Sequence, residues 1–224
     1  KVIFINDNTG FLSGGSGGGT AYLYKSTDSG LNWFVVSSPA ATMWDGISVR
    51  SNDTIFVIDS EPLTGGVYKT INGGVNWVRQ LQLGNLNPTK IYFYNSNTGY
   101  ISKTTGSPYI RKTTNGGTNW NLITSGDGFL DMAFTDSMTG WKANVDVKKT
   151  TDGGLNWISQ SLPSVNGMSI WGMIKIALVN KDTIWGVGNT INFPGYGSRA
   201  FLYKTTNGGV NWWYQIADTS FGFF

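Results

Sequence analysis

Short apolar runs separated by polar turns recur along the chain. The alternation in Ile91-Tyr92-Phe93-Tyr94, followed by an Asn/Asp-x-x-Thr-Gly turn and a second apolar run, predicts strand, hairpin and strand. The arrangement reads VIFINDNTGFLSG from Val2, IYFYNSNTGYISK from Ile91 and MAFTDSMTGWKAN from Met132, with looser copies at 47–58 and 174–187. No segment sustains a helical period. The longest apolar stretches, such as 174–179, reach strand length and fall well short of the roughly 20 residues of a membrane span.

Downstream of each strand pair stands a second repeat: Ser26 to Trp33 (STDSGLNW), Thr70 to Trp77 (TINGGVNW), Thr113 to Trp120 (TTNGGTNW), Thr150 to Trp157 (TTDGGLNW) and Thr205 to Trp212 (TTNGGVNW). The tryptophans are 44, 43, 37 and 55 residues apart, a period that fits a four-stranded propeller blade. Strands A and B of each blade fall in the first motif, strand C runs into the second, and strand D begins at its tryptophan. The predicted fold class is all-β: a five-bladed β-propeller of four-stranded antiparallel blades. The blades span about 1–38, 39–83, 84–126, 127–163 and 164–224 of a single domain. The tail Ser220-Phe221-Gly222-Phe223-Phe224 is similar to Asp127-Gly128-Phe129-Leu130, which leads into strand A of the fourth blade. Read circularly, this favours a ring closed at five blades; an excerpt from a longer array, able to oligomerise through its open edges, is the other reading.

The spacing in the second repeat has a physical reason. Asp or Asn accepts backbone N–H groups that the strand ladder leaves unpaired, and a Ser or Thr two residues earlier adds to this. The glycine two residues later permits φ > 0, and the tryptophan three further on supplies a large packing surface. The expected structural set is Asp28, Gly30, Trp33; Asn72, Gly74, Trp77; Asn115, Gly117, Trp120; Asp152, Gly154, Trp157; and Asn207, Gly209, Trp212. Asparagine in three of the five positions keeps the acceptor and discards the charge, which a turn tolerates and acid–base chemistry does not.

The pattern [Ser/Thr]-x-[Asp/Asn]-x-Gly-x-x-Trp resembles the Asp-box, or BNR repeat, of sialidases, sortilin-type receptors, xyloglucanases and photosystem II assembly-factor propellers. Coupled to the Phe-x-Asp-x-x-Thr-Gly-Tyr strand pair, it is most similar to the photosystem II assembly-factor type and to propellers of secreted bacterial surface proteins. That resemblance implies a binding or assembly scaffold, extracellular or on a bacterial surface, with the periplasm or thylakoid lumen as alternatives. The enzyme it implies instead is a glycoside hydrolase. Sialidase markers are missing, since Arg50, Arg79, Arg111 and Arg199 are the only arginines and Glu61 is the only glutamate. The least implausible carboxylate pair for xyloglucanase-like chemistry is Asp45 with Asp127.

Composition narrows the chemistry. With 31 glycines, 14% aromatic and 13% charged residues, the chain suits short strands and tight turns. It has neither cysteine nor histidine, which removes Ser-His-Asp and Cys-His machinery and the usual zinc ligands. No catalytic residue, metal site or cofactor is expected. A net charge of +3 without an arginine-rich run argues against nucleic acid. The opening at Lys1, without methionine, suggests a processed or trimmed segment. A lysine precedes every second repeat (Lys25, Lys69, Lys112, Lys149, Lys204), either as a solvated residue guarding an outer strand or as a basic ring for an anionic partner.

Loops on the face opposite the repeats are the expected place for function. They are 14–19, the segment at Trp44 and Asp45, 59–64, 125–129, 163–171 and 189–199. The candidate binding residues there are Trp44, Asp45, Asp127, Phe129, Trp171, Tyr196 and Arg199, suited to a protein segment or a glycan; the alternative is that the aromatics plug a channel.

Overall fold

The computed structural model describes residues 1–14, 21–36, 44–59, 65–82, 88–103, 109–125, 127–144, 146–164, 171–193 and 197–217. It is an all-β fold of the propeller class, built from five four-stranded antiparallel blades. Blade one holds β1 (Val2–Phe4), β2 (Gly10–Gly14), β3 (Tyr22–Ser26) and β4 (Phe34–Val36). Blade two holds β5 (Gly46–Val49), β6 (Ile55–Asp59), β7 (Gly66–Thr70) and β8 (Val78–Gln82). Blade three holds β9 (Lys90–Phe93), β10 (Gly99–Lys103), β11 (Tyr109–Thr113) and β12 (Asn121–Ser125). Blade four holds β13 (Asp131–Phe134), β14 (Gly140–Ala143), β15 (Val147–Thr150) and β16 (Ile158–Ser159). Blade five holds β17 (Trp171–Leu178), β18 (Ile184–Phe193), β19 (Gly197–Thr205) and β20 (Trp213–Ala217). The chain groups into two compact units, Lys1–Asp127 and Gly128–Phe224, each described below by itself.

Apolar side chains meet between neighbouring blades. In the first unit one core joins Phe11 and Leu23 to Ile47, Val49, Ile55 and Val57, and a second joins Phe56, Ile58 and Val67 to Ile91, Phe93 and Ile101. Blade two therefore has a core on both faces, which is why Ile55-Phe56-Val57-Ile58 is a continuous apolar run and not an alternating one. The Phe56 and Phe93 rings stack at 3.5 Å, worth about 0.5–1.5 kcal/mol beyond their burial. In the second unit Trp141, Ala143, Val147, Met173, Ile184 and Tyr203 form the equivalent core between blades four and five.

The inner strands add polar ties. Lys1 Nζ donates to the Ile47 carbonyl at 3.2 Å, Phe93 N–H to Ser48 Oγ at 3.0 Å, and Ile176 N–H to Asp131 Oδ2 at 3.0 Å. The A–B turns share one device. Asn6, Ser51, Asn95, Asp136 and Asn180 each accept the two N–H groups that follow at i+2 and i+3, closing the hairpin.

The glycine opening strand B in three blades is a matter of space. It pairs across the hairpin with a strand A phenylalanine (Phe4 with Gly10, Phe93 with Gly99, Phe134 with Gly140). A Cβ at these glycines would lie 2.8, 2.6 and 2.7 Å from the ring. The ring then meets the repeat tryptophan of its own blade edge-on, as in Phe93–Trp120 at 5.9 Å and Phe134–Trp157 at 6.0 Å. Blades two and five exchange the pair for Val49–Ile55 and Leu178–Ile184, dividing the volume differently at the same register.

Candidate functional site

The five repeat turns have one geometry. The Ser or Thr hydroxyl accepts the glycine N–H four residues on, at 2.8–3.0 Å, and donates to the Asp or Asn Oδ1 two residues on. That Oδ1 accepts a further backbone N–H, from Asn32, Asn76, Asn119, Asn156 or Asn211, at 2.9 Å in every blade. The residue after the Asp or Asn donates its N–H to the A–B turn of the same blade: Ser29 to Asn8, Gly73 to Asp53, Gly116 to Asn97, Gly153 to Met138 and Gly208 to Asp182. Both residues after the Asp or Asn have positive φ, and Ser29, at 61°, is the only non-glycine among the described residues to do so.

Acid and amide are interchangeable here. The acid blades add one bond, from Asn32 Nδ2 to Asp28 Oδ2 and from Asn156 Nδ2 to Asp152 Oδ2. The backbone N–H groups of Asn32 and Asn156, and after them these side-chain bonds, hold the Asp28 carboxyl below its ordinary range and bring Asp152 to about 2. The tryptophans differ in exposure: Trp120 and Trp212 are buried, while Trp33, Trp77 and Trp157 are half-buried.

The lysines before the turns are not simply solvated guards of an outer strand. Each pairs across strands with an aromatic on strand B: Lys25 with Phe11, Lys69 with Phe56, Lys112 with Tyr100, Lys149 with Trp141 and Lys204 with Trp185. The ammonium groups lie 4.8–5.7 Å from those ring centroids, and all five residues are half-buried. Two reach the repeat turn of the following blade. Lys69 Nζ donates to the Gly116 carbonyl at 3.5 Å and Lys149 Nζ to that of Gly208 at 2.7 Å.

The loop candidates distribute unevenly. Trp44 and Phe129, read as surface aromatics, are buried at 7% and 2% exposure. Trp44 packs against Tyr68 and, at 6.1 Å, against Trp77, in the blade whose strand A offers Val49 in place of phenylalanine. Asp45 and Asp127 are half-buried, and the Asp45 N–H donates to the Ile58 carbonyl at 3.0 Å. Trp171 opens β17 and Arg199 lies in β19 opposite Thr190; segment 189–199, read as a loop, is mostly a long hairpin of β18 and β19. Tyr196, most of the loops 14–19, 59–64 and 163–171, and the tail 220–224 that suggests ring closure lie outside the described residues.

One concavity among the described residues lies beside the repeat turn of blade two, not on the loop side. A groove of about 380 Å³ is lined by Lys69, Ile71, Asn72, Asn76, Val78 and Gln80. Ile71 and Val78 are 71% and 61% exposed, so three carboxamides and an ammonium surround solvent-facing apolar surface. The sequence carried a signal for it. An apolar residue recurs two before the repeat tryptophan (Leu31, Val75, Leu155, Val210) and directly after it (Phe34, Val78, Ile158, Trp213), and all eight are exposed. Blade three has Thr118 and Asn121 instead. Among the described residues no group of three acidic side chains is placed to hold a metal ion, and no helix is long and apolar enough to cross a membrane.

No protein-family model and no curated protein sequence matches the chain. Solved structures do. A GH74 enzyme of Niastella koreensis matches over 94% of this chain and 36% of its own, at 20% identity and a TM-score of 0.69. The GH74 xyloglucanase of Xanthomonas campestris matches over 94% and 37%, at 13% identity and a TM-score of 0.71. YCF48, solved bound to D1 peptide, matches over 96% and 79%, at 15% identity and a TM-score of 0.57. This chain thus spans little more than a third of the GH74 chains and most of YCF48. At these identities the likeness is one of fold, and the fold is that of a β-propeller.

Proposed function

We propose that the chain is a non-catalytic propeller scaffold of the Asp-box type, secreted or surface-displayed, that grips an extended segment of a protein partner. The observation that carries this is the equivalence of acid and amide in the five repeat turns. Asp28 and Asp152 accept the same backbone N–H groups as Asn72, Asn115 and Asn207, and their depressed pKa values leave them ionised and engaged, unsuited to general acid catalysis. The groove on blade two offers what an extended chain needs. Its carboxamides can donate to and accept from a peptide backbone while Ile71 and Val78 cover an apolar side chain. The likeness to a propeller solved with a peptide supports this reading. The likeness to GH74 enzymes supports the alternative, a glycoside hydrolase.

One experiment separates them. The protein is titrated with an array of extended peptides and, in parallel, incubated with xyloglucan while reducing ends are measured. Saturable peptide binding, weakened at least about tenfold by Val78→Asp and without release of reducing ends, is the expected result. Turnover of xyloglucan that is lost on Asp45→Asn or Asp127→Asn would replace the scaffold by the hydrolase.

A further inference from the structure

Three of the repeat turns contain Asn–Gly: Asn72–Gly73, Asn115–Gly116 and Asn207–Gly208. In this dipeptide the glycine nitrogen can attack the asparagine Cγ, because no following side chain obstructs the approach. The bond from the glycine nitrogen to Cγ closes a five-membered imide, the Cγ–Nδ2 bond breaks, and the amide nitrogen leaves as ammonia with the proton given up by the glycine N–H. Water then opens the imide at one of its two carbonyls, giving aspartate or its main-chain isomer, isoaspartate.

The turn opposes both requirements of the first step. Each attacking N–H is already committed to the A–B turn, Gly73 to Asp53 at 3.1 Å, Gly116 to Asn97 at 2.8 Å and Gly208 to Asp182 at 2.9 Å. Each carboxamide is held from two sides. Thr70, Thr113 and Thr205 donate to Oδ1 at 2.9–3.0 Å, and the N–H groups of Asn76, Asn119 and Asn211 donate to the same atom at 2.9 Å. Reaction therefore requires the turn to open.

Blade four displays the aspartate product. Thr150-Thr151-Asp152-Gly153-Gly154 differs from Thr205-Thr206-Asn207-Gly208-Gly209 only in the acid, keeps every bond of the turn and gains one from Asn156 Nδ2 at 2.8 Å. Isoaspartate inserts a methylene into the main chain between the hydroxyl and the glycines and breaks the spacing that the turn depends on.

We infer that Asn72, Asn115 and Asn207 are deamidation sites gated by opening of the repeat turns, whose aspartate product the turns accept and whose isoaspartate product they reject. Conversion at all three sites takes the formal net charge from +3 to zero, so the modified protein is separable by cation exchange. The protein is incubated at mildly alkaline pH, folded and in urea, and each site is followed by peptide mass mapping. The expected result is deamidation at least about tenfold slower at all three sites in the folded protein, the protection that local stability confers. Equal rates in the two states overturn the gating. After refolding of the urea-aged material, the folded fraction is expected to contain aspartate and to be depleted of isoaspartate, and equal recovery of both overturns the selection. The variant N72D/N115D/N207D is expected to melt at or above the temperature of the unmodified protein; a lower melting temperature overturns the acceptance of aspartate.

Discussion

Phe134 covers the Cα of Gly140, its direct partner across the β13–β14 hairpin, so closely that a Cβ there would lie 2.7 Å from the ring. The ring also meets Trp157 at 6.0 Å in a nearly perpendicular arrangement, and its size and the absence of a side chain at 140 are one packing decision. Gly140→Ala is expected to destabilise the protein by about 1–3 kcal/mol, the usual cost of overpacking. The double variant F134L/G140I, which copies Leu178–Ile184 of blade five, should recover most of that loss. Urea unfolding of the single and double variants measures both.

Lys149 carries a second prediction. Its ammonium lies 5.1 Å from the Trp141 centroid and donates at 2.7 Å to the Gly208 carbonyl. Lys149→Met keeps the stem and removes both interactions, for an expected loss of about 1–3 kcal/mol. Lys181→Met, at an exposed lysine paired with Asp182, should change stability by less than about 0.5 kcal/mol. Similar losses in thermal unfolding would contradict this assignment.

Thr113 shows how far a turn depends on one hydroxyl. It is 1% exposed, accepts the buried Gly117 N–H at 2.9 Å and donates to Asn115 at 3.0 Å. Thr113→Val is nearly the same shape but leaves that N–H unsatisfied, which should cost about 1–3 kcal/mol. Thr113→Ser retains the hydroxyl and should cost about 0.8 kcal/mol, the value of the lost methyl. Chemical denaturation distinguishes the two.

Acid titration tests the carboxylate turns. Hydrogen bonds bring Asp152 to about 2 from an ordinary value of 3.8, so the stability it contributes is complete above that ordinary value and is lost as pH falls towards 2. Asp152→Asn should therefore flatten the fall in stability between pH 4 and 2 and lower the melting temperature at pH 7 slightly, because the ionised carboxylate and its bond from Asn156 Nδ2 are lost. Asp28 shifts in the same direction, so D28N/D152N should flatten the slope further.

The repeat turns were legible because their chemistry is local: a hydroxyl, an acceptor and two glycines at fixed spacing specify their own hydrogen bonds. The strands of the looser blades two and five were legible too, since apolar runs bounded by turns need no partner to be recognised. The lysines were not. Their role rests on the register that sets Lys149 opposite Trp141 and on a carbonyl 59 residues away. Trp44 and Phe129 misled for a related reason. Each stands two residues before strand A and turns into the core, where an aromatic in a connecting segment reads from sequence as surface. The groove on blade two was overlooked because the repeated motif of its turn suggested scaffold, although the apolar residues flanking the tryptophan were in plain sight.

The link from Lys69 to Gly116, like that from Lys149 to Gly208, ends on a main-chain oxygen. A peptide carbonyl is the same whatever side chain its residue bears, so this joint asks for a lysine on one module and only a correctly folded turn on the next. The apolar side chains of the shared cores must still match, but this joint places no demand of its own on the side chain it meets. In the two junctions that carry it, the same fastening recurs although the apolar sets around it differ. The exposed residues around such a turn can then vary without touching the fastening.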